Sequence, residues 1–308
     1  MKIIYNKPHE MVFPCVLTIG FFDGVHLGHQ HLINQVKKTA KQLNLKSGIV
    51  TFSKSPKQII HPEIKISLLN TEIEKSKRLE NLDIDYCFVL DFTPKIANLT
   101  AKFFLQQILF KQFNAKYLII GYDHRFGKNR LENFFDYQKY GQEVGLNVIQ
   151  ANAFLHHGKT ISSTLVRNLL SEGKVEEASI YLNAPYQISG KVENGFKQGR
   201  LIGFPTANLK ISDKNKLIPK KGVYGVWTHY NSKKYAGMLN IGKRPTFDNG
   251  TNISIEVHLI NFNENIYGKT LKIDFIKRLR DEKLFDSIER LKSQLKKDKE
   301  IIQKLLSS

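Results

Sequence analysis

Residues 15–31 read Cys15-Val-Leu-Thr-Ile-Gly-Phe-Phe-Asp-Gly-Val-His-Leu-Gly-His-Gln-His31. Val16 to Ile19 is a short apolar run rich in β-branched residues, the pattern of a buried strand. Gly20 and Gly24 follow, then His26, Gly28 and His29, and a helix-periodic segment opens at Leu27. Two histidines three apart thus stand at a strand-to-helix junction, with glycines beside them. Such a junction offers backbone N–H groups and a helix N-terminus to an anion. Glycine lets the backbone come close, and histidine adds donors that follow charge as it develops on a phosphate. Packed helix-start histidines and a metal site are the competing readings. A metal usually takes three or more protein ligands, and the two cysteines, Cys15 and Cys87, are far apart in sequence.

Outward from this stretch, Leu32, Ile33, Val36 and Ala40 keep helical spacing. Residues 48–52 read as a second strand, and Ser53-Lys-Ser-Pro56 as a loop. Helices are predicted over 71–82, with Thr71 and Glu74 as a capping box, and over 100–113. Strands are predicted over 85–90, 116–120 and 147–150. Alternating strands and helices imply a Rossmann-like α/β domain with a parallel sheet, whose ligands bind beyond the carboxyl ends of the strands. The run Tyr117–Ile120 enters Gly121-Tyr-Asp-His-Arg-Phe-Gly127 at such an end, making Asp123, Arg125 and Phe126 candidates. Thr160-Ile-Ser-Ser-Thr-Leu-Val-Arg167 opens another apolar-periodic helix. One hydroxyl suffices for a cap. Ser162, Ser163 and Thr164, with Arg167 a turn later, make a cradle for a triphosphate.

Residues 174–182 read as one more helix, and Asn183-Ala-Pro185 breaks the pattern. From Tyr186 the texture changes to short strands, at 186–192, 223–230, 235–241, 253–260 and 271–276, the signature of an antiparallel β-barrel or sandwich. Two domains follow, 1–183 and 184–308. In Gly199-Arg-Leu-Ile-Gly-Phe-Pro-Thr-Ala-Asn208, Gly199 and Gly203 permit close backbone approach and Pro205 stiffens the chain. Thr206 and Asn208 can point oxygens at one hard cation such as Mg²⁺; a β-turn with capping side chains fits the spacing equally. A C-terminal helix carries Ile288, Leu291, Leu295, Ile302 and Leu305, with Asp286 and Glu289 at capping-box spacing.

The 308 residues are 41% hydrophobic, enough for globular folding. No apolar run reaches the length of a membrane span. Pro8, His9 and Glu10 interrupt the N-terminus, which does not read as a signal peptide. With two cysteines, a reducing cytoplasm is expected. The formal charge of +19 invites a nucleic-acid partner, but 9 of the 47 basic residues are Arg, and the lysines are dispersed apart from Lys296-Lys297-Asp298-Lys299. Specific readout of phosphates and bases favours clustered Arg. The expectation is no nucleic acid and no membrane, with the positive field serving anionic small molecules.

The phrase Gly20-Phe-Phe-Asp-Gly-Val-His-Leu-Gly-His-Gln30 resembles the His-x-Gly-His signature of adenylyl-transferring nucleotidyltransferases. It is most similar to the FMN adenylyltransferase half of bacterial bifunctional riboflavin kinase/FAD synthetases. Ile161-Ser-Ser-Thr-Leu-Val-Arg167 resembles the second signature of those transferases, and Gly203-Phe-Pro-Thr-Ala-Asn208 that of riboflavin kinases. The phrases 222–227, 239–247 and 255–259 agree, so the resemblance covers nearly the whole chain. It implies ATP-dependent phosphorylation of riboflavin to FMN, then adenylylation of FMN to FAD with release of pyrophosphate. His26, His29 and Glu256 become the catalytic residues. Gly20, Phe21, Asp23, Gly24, Gly28, Asp123, Arg125, Ser162, Ser163, Thr164 and Arg167 become nucleotide-binding in the first domain. Gly199, Gly203, Pro205, Thr206 and Asn208 do so in the second, with Thr206 and Asn208 also on Mg²⁺. Phe126, Arg244, Phe247 and Arg280 are the expected flavin contacts. By spacing alone Glu256, between Ile255 and Val257, is equally a solvent-facing strand carboxylate. The sequence departs from the family pattern at Phe21, at Ser53–Pro56, at Asn194 and at Lys197. A monomer or weak homo-oligomer is expected.

Overall fold

The computed structural model describes residues 1–8, 11–122, 124–194, 198–243 and 253–307. The chain divides into two compact units, Met1–Ser163 and Thr164–Ser308.

In the first unit, strands β1 (Lys2–Tyr5), β2 (Cys15–Ile19), β3 (Lys46–Phe52), β4 (Tyr86–Leu90), β5 (Ala115–Ile120) and β6 (Asn147–Gln150) form one sheet. Its order is β1-β4-β3-β2-β5-β6, and every pairing is parallel. The chain winds from β2 to β3 and β4 on one side, then returns to place β5 on the other. The strand order therefore reverses at β2, and the crevice beyond its carboxyl end is where such sheets bind ligands. Helices α1 (Leu27–Gln42), α2 (Pro56–Ile60), α3 (Glu72–Glu80), α4 (Pro94–Ala97), α5 (Ala101–Phe103) and α6 (Phe134–Gln142) connect the strands.

Alternation along β2 and β3 sorts the core into two layers. Leu17, Ile19, Val50 and Phe52 pack with Phe104, Leu109, Phe113 and Tyr137. Ile49 packs with Ile33 of α1 and Leu79 of α3, and Val16 with Val36 and Ala40 of α1. The predicted 100–113 helix is α-helical only over α5 and continues as a π-helix, Phe104–Gln112. The wider π turn suits Phe104, Leu109 and Phe113, which are five and four residues apart and all buried. The Thr71/Glu74 capping box forms in both directions. A short hairpin of β7 (Leu155–His156) and β8 (Lys159–Thr160) precedes the second signature.

Helix α7 (Ser163–Glu172) begins at the last residue of the first unit and, with α8 (Val175–Leu182), leads the second. The change in sequence texture lies at 183/184, whereas the contacts divide at 163/164. Strands β9 (Tyr186–Glu193), β10 (Ala207–Lys210), β11 (Gly222–Tyr230), β12 (Lys233–Lys243), β13 (Ile253–Leu259) and β14 (Thr270–Arg280) close into an antiparallel barrel in the order β10-β13-β12-β11-β14-β9. Closure leaves no exposed edge. Tyr186, Tyr224 and Phe275 fill the interior, Phe275 meeting Tyr224 edge-on at 5.1 Å. Helix α9 (Gln198–Leu201) precedes β10, and α10 (Ile288–Leu306) covers one side, burying Ile302 and Leu306 against Val223 and Met238. Its cap is Ser287, which accepts from the Arg290 N–H; Asp286 therefore lies one residue before the cap, the expected Asp286/Glu289 box does not form, and Asp286 pairs instead with the Arg290 side chain at 2.6 Å.

Candidate active site

In the first unit the opening motif folds into a tight turn between β2 and α1. Phe22, Gly24 and Val25 all take positive φ, 56°, 85° and 44°. His26 is the N-cap of α1, and its Nδ1 accepts the His29 N–H at 3.3 Å. With Nδ1 used as an acceptor, neutral His26 carries its proton on Nε2. The two imidazoles stack at 3.6 Å between centroids and 18° between planes. A Cβ on Gly28 would lie 3.2 Å from His26 Nδ1, so the glycine leaves room for the capping ring. The Phe22 ring meets His29 edge-on at 5.2 Å. Burial, then the neighbouring His26 and His124, push His29 well below its ordinary pKa of 6.5. Its buried Nδ1 has no hydrogen-bond partner, a vacancy that an oxygen of a phosphate suits.

Asp23 is buried, and its carboxylate accepts from the backbone N–H groups of Leu69, at 3.0 and 3.2 Å, and Asn70, at 3.2 Å. Its carbonyl accepts the Ser163 hydroxyl at 2.9 Å, which ties the second signature to the first. Gly20 donates to the Val50 carbonyl at 3.0 Å. In the loop after β5, Phe126 stacks on Tyr137 at 4.3 Å and packs toward the core, while the Arg125 side chain is exposed. Asp123 lies outside the described residues. Thr164 and Arg167 follow Ser163 along α7.

In the second unit, β10 runs antiparallel to β13 with Asn208 opposite Glu256. Ile255 and Val257 are buried and Glu256 is half-buried, so the carboxylate projects from the face opposite to them. Thr206 Oγ1 donates to Glu256 Oε2 at 3.1 Å. A hydroxyl, a carboxamide and a carboxylate thus share one face of two paired strands. His258 Nδ1 donates to the Pro205 carbonyl at 2.8 Å, fixing the chain just before Thr206. Gly199 abuts the Phe204 carbonyl, where a Cβ would fall 2.3 Å from the oxygen. Gly203 takes φ 85° in the same turn.

Two family models match: FAD synthetase over residues 9–165 and riboflavin kinase over residues 182–306. Bifunctional riboflavin kinase/FMN adenylyltransferases are similar along their whole length. That of Haemophilus influenzae is 36% identical over 98% of each chain. That of Bacillus subtilis is 34% identical, over 97% of this chain and 96% of the relative. The chain belongs to this bifunctional family. A crystal structure from Streptococcus pneumoniae, described as a macrolide-efflux protein, superposes with a TM-score of 0.88 at 34% identity over 98% of both chains.

Within the riboflavin kinase domain, the Arg280 guanidinium, an expected flavin contact, is engaged with buried Asp298, at 2.7 and 3.0 Å to Oδ2. Arg244, Phe247 and Lys197 lie outside the described residues. Near Arg280, Phe285, Asp286, Arg290 and Gln294 line an open cleft of about 610 Å³. Within the FAD synthetase domain, two residues beside the histidine motif escaped sequence reasoning. His124 is one; it lies in the Gly121–Gly127 loop, far in sequence from His29, and its charge coupling to that residue is spatial. Lys75 is the other, 5% exposed on α3. A lysine on the inner face of a helix is the signal that marks it, and helical periodicity alone treats it as a break in the pattern.

Proposed function

We propose that this chain makes FAD in two steps, each at its own cluster. One observation carries the reading: His26, His29 and Ser163 gather in the first compact unit, and Thr206, Asn208 and Glu256 in the second.

In the kinase step the riboflavin 5′-hydroxyl oxygen attacks the γ-phosphorus of ATP. Glu256 takes the hydroxyl proton, the bond to the bridging oxygen breaks, and FMN and ADP form. The hydrogen bond from Thr206 keeps the carboxylate oriented as an acceptor. Thr206 and Asn208 would hold the Mg²⁺ that accompanies ATP, since hydroxyl and carboxamide oxygens suit a hard cation, and the ion supplies charge neutralisation on the phosphates.

In the adenylyl step a phosphate oxygen of FMN attacks the α-phosphorus of a second ATP, and pyrophosphate leaves. His26, through Nε2–H, and neutral His29 donate hydrogen bonds as negative charge builds on the α-phosphate. Ser163, bound through its hydroxyl to the Asp23 carbonyl, would help to hold the phosphates of the leaving pyrophosphate. No covalent intermediate is required, because positioning and electrostatics carry phosphoryl-type transfer. The partners are small anions and flavins rather than nucleic acid, and the setting is the cytoplasm, as a monomer or weak homo-oligomer. Among the described residues no helix is long and apolar enough to cross a membrane.

Separate half-reactions test the assignment. With FMN and ATP supplied, His29→Ala loses FAD formation by on the order of 100- to 1,000-fold, the scale of losing one transition-state donor. With riboflavin and ATP supplied, Glu256→Ala loses FMN formation by a comparable factor, on the order of 100-fold or more. A variant that stops both half-reactions would show the two-site assignment to be wrong.

A further inference from the structure

We propose that Lys75 is a positioning residue for adenylyl transfer, clasping the backbone of the histidine motif to the end of β3 and so fixing where His29 stands. The inference rests on the assignment of FAD formation to the first unit. Lysine is almost never fully buried unless its donors are met, and Lys75 meets three acceptors. Its Nζ donates to the Phe52 carbonyl at 2.7 Å, the Phe21 carbonyl at 3.3 Å and Thr51 Oγ1 at 3.4 Å. It also lies over the Phe21 ring, 4.3 Å from the centroid, a favourable site for a cation. The Thr51 hydroxyl donates to the same Phe21 carbonyl at 3.2 Å. One carbonyl of the motif is therefore gripped from α3 and from β3 together.

The grip bears on both sides of the site. Directly after Phe21 the chain turns at Phe22, in the left-handed region, and the Phe22 ring abuts His29. Directly after Phe52 begins the loop 53–56, where the chain departs from the family pattern. Asp23 completes the clasp in reverse, its carboxylate holding the backbone at Leu69 and Asn70 as the chain enters α3. A helix cation grips the motif, and a motif anion grips the approach to the helix. An apolar side chain at position 75 would fill the volume but take the Lys75 donor from the Phe52 carbonyl and leave the Phe21 carbonyl held by the Thr51 hydroxyl alone.

The charged and titratable groups facing Lys75 are Asp23 from the motif, Glu72 on its own helix and Cys87 on β4; burial outweighs them and lowers Lys75 to about 8. The clasp is therefore charged at neutral pH, and it loosens as pH rises through that value.

FAD formation from FMN and ATP is measured on the full chain for wild type, Lys75→Met and Lys75→Arg across pH. We expect Lys75→Met to lower kcat by on the order of 100-fold, the effect of small misplacement of catalytic groups. The KM for ATP and riboflavin phosphorylation should stay near wild type. Lys75→Arg, which keeps the cation, should recover most of kcat and move the alkaline limb of the profile upward from near 8. Wild-type kcat in Lys75→Met, or an unmoved limb in Lys75→Arg, overturns the proposal. If Lys75→Met does not fold, the wild-type profile decides: a fall centred near 8 supports the clasp, and a flat profile across that range overturns it. A wild-type chain that makes no FAD at all overturns the underlying assignment, a result distinct from both.

Discussion

Burial and the rings of His26 and His124 hold His29 well below 6.5, so at neutral pH it is an uncharged hydrogen-bond donor. The same shift links pH to stability. An unfolded chain protonates this histidine below 6.5 and the folded chain resists, so the unfolded state binds more protons there and stability falls as pH drops below that value. Above it both states are neutral and the contribution is constant. Replacing His29 by Gln, which cannot protonate, should flatten the acid side of the stability curve of the first unit, read by urea midpoints from neutral pH downward. An acid slope unchanged from wild type would place the charge-sensitive group elsewhere. Residue types and spacing pointed to His26 and His29, and the family resemblance, not spacing, singled out Thr206, Asn208 and Glu256. What they could not supply was the tautomer of His26, the pairing of Thr206 with Glu256, or the presence of Lys75 under Phe21, because each depends on chain segments far apart in sequence.

Elements place these side chains. The β10–β13 register sets Asn208 opposite Glu256, and the turn before β10 closes only because Gly199 lacks a Cβ. In Gly199→Ala that Cβ collides with the Phe204 carbonyl. The turn must shift, and riboflavin phosphorylation should fall by on the order of 100-fold while FAD formation from supplied FMN is retained. Equal loss of both activities would contradict a local effect. On α10, Asp298 is 1% exposed and receives Arg280 and Gln294. Asp298→Ala leaves the partly exposed Arg280 guanidinium without its carboxylate, and should destabilise the second unit by about 1–3 kcal/mol, lowering the calorimetric transition that tracks kinase activity; an unchanged transition would show the pair to be unimportant. Most elements were legible from periodicity, since the parallel strands are continuous apolar runs and the barrel strands are separated by turn residues. The π-helix at 104–112 was not, because phenylalanines and leucines four and five apart imitate an α-helical stripe. Nor did the short strands β1 and β10 stand out. Arg280, beyond the strand predicted over 271–276, belongs to β14, which runs four residues further than the apolar pattern.

At the scale of the molecule, one chain carries a parallel-sheet unit and a closed barrel, each with its own core and its own cluster of chemistry. The formal charge of +19 surrounds both with a field that favours anionic nucleotides and flavin phosphates. The central claim is that the two clusters act in series on one flavin. It is tested most directly by incubating the full-length chain with riboflavin, excess ATP and Mg²⁺ and separating the flavins over time. The account predicts that FMN appears first and then declines into FAD, that His29→Ala stops at FMN, and that Glu256→Gln makes neither product from riboflavin yet still converts supplied FMN. FAD formed by His29→Ala at the wild-type rate, or loss of FAD formation from supplied FMN in Glu256→Gln, would contradict it.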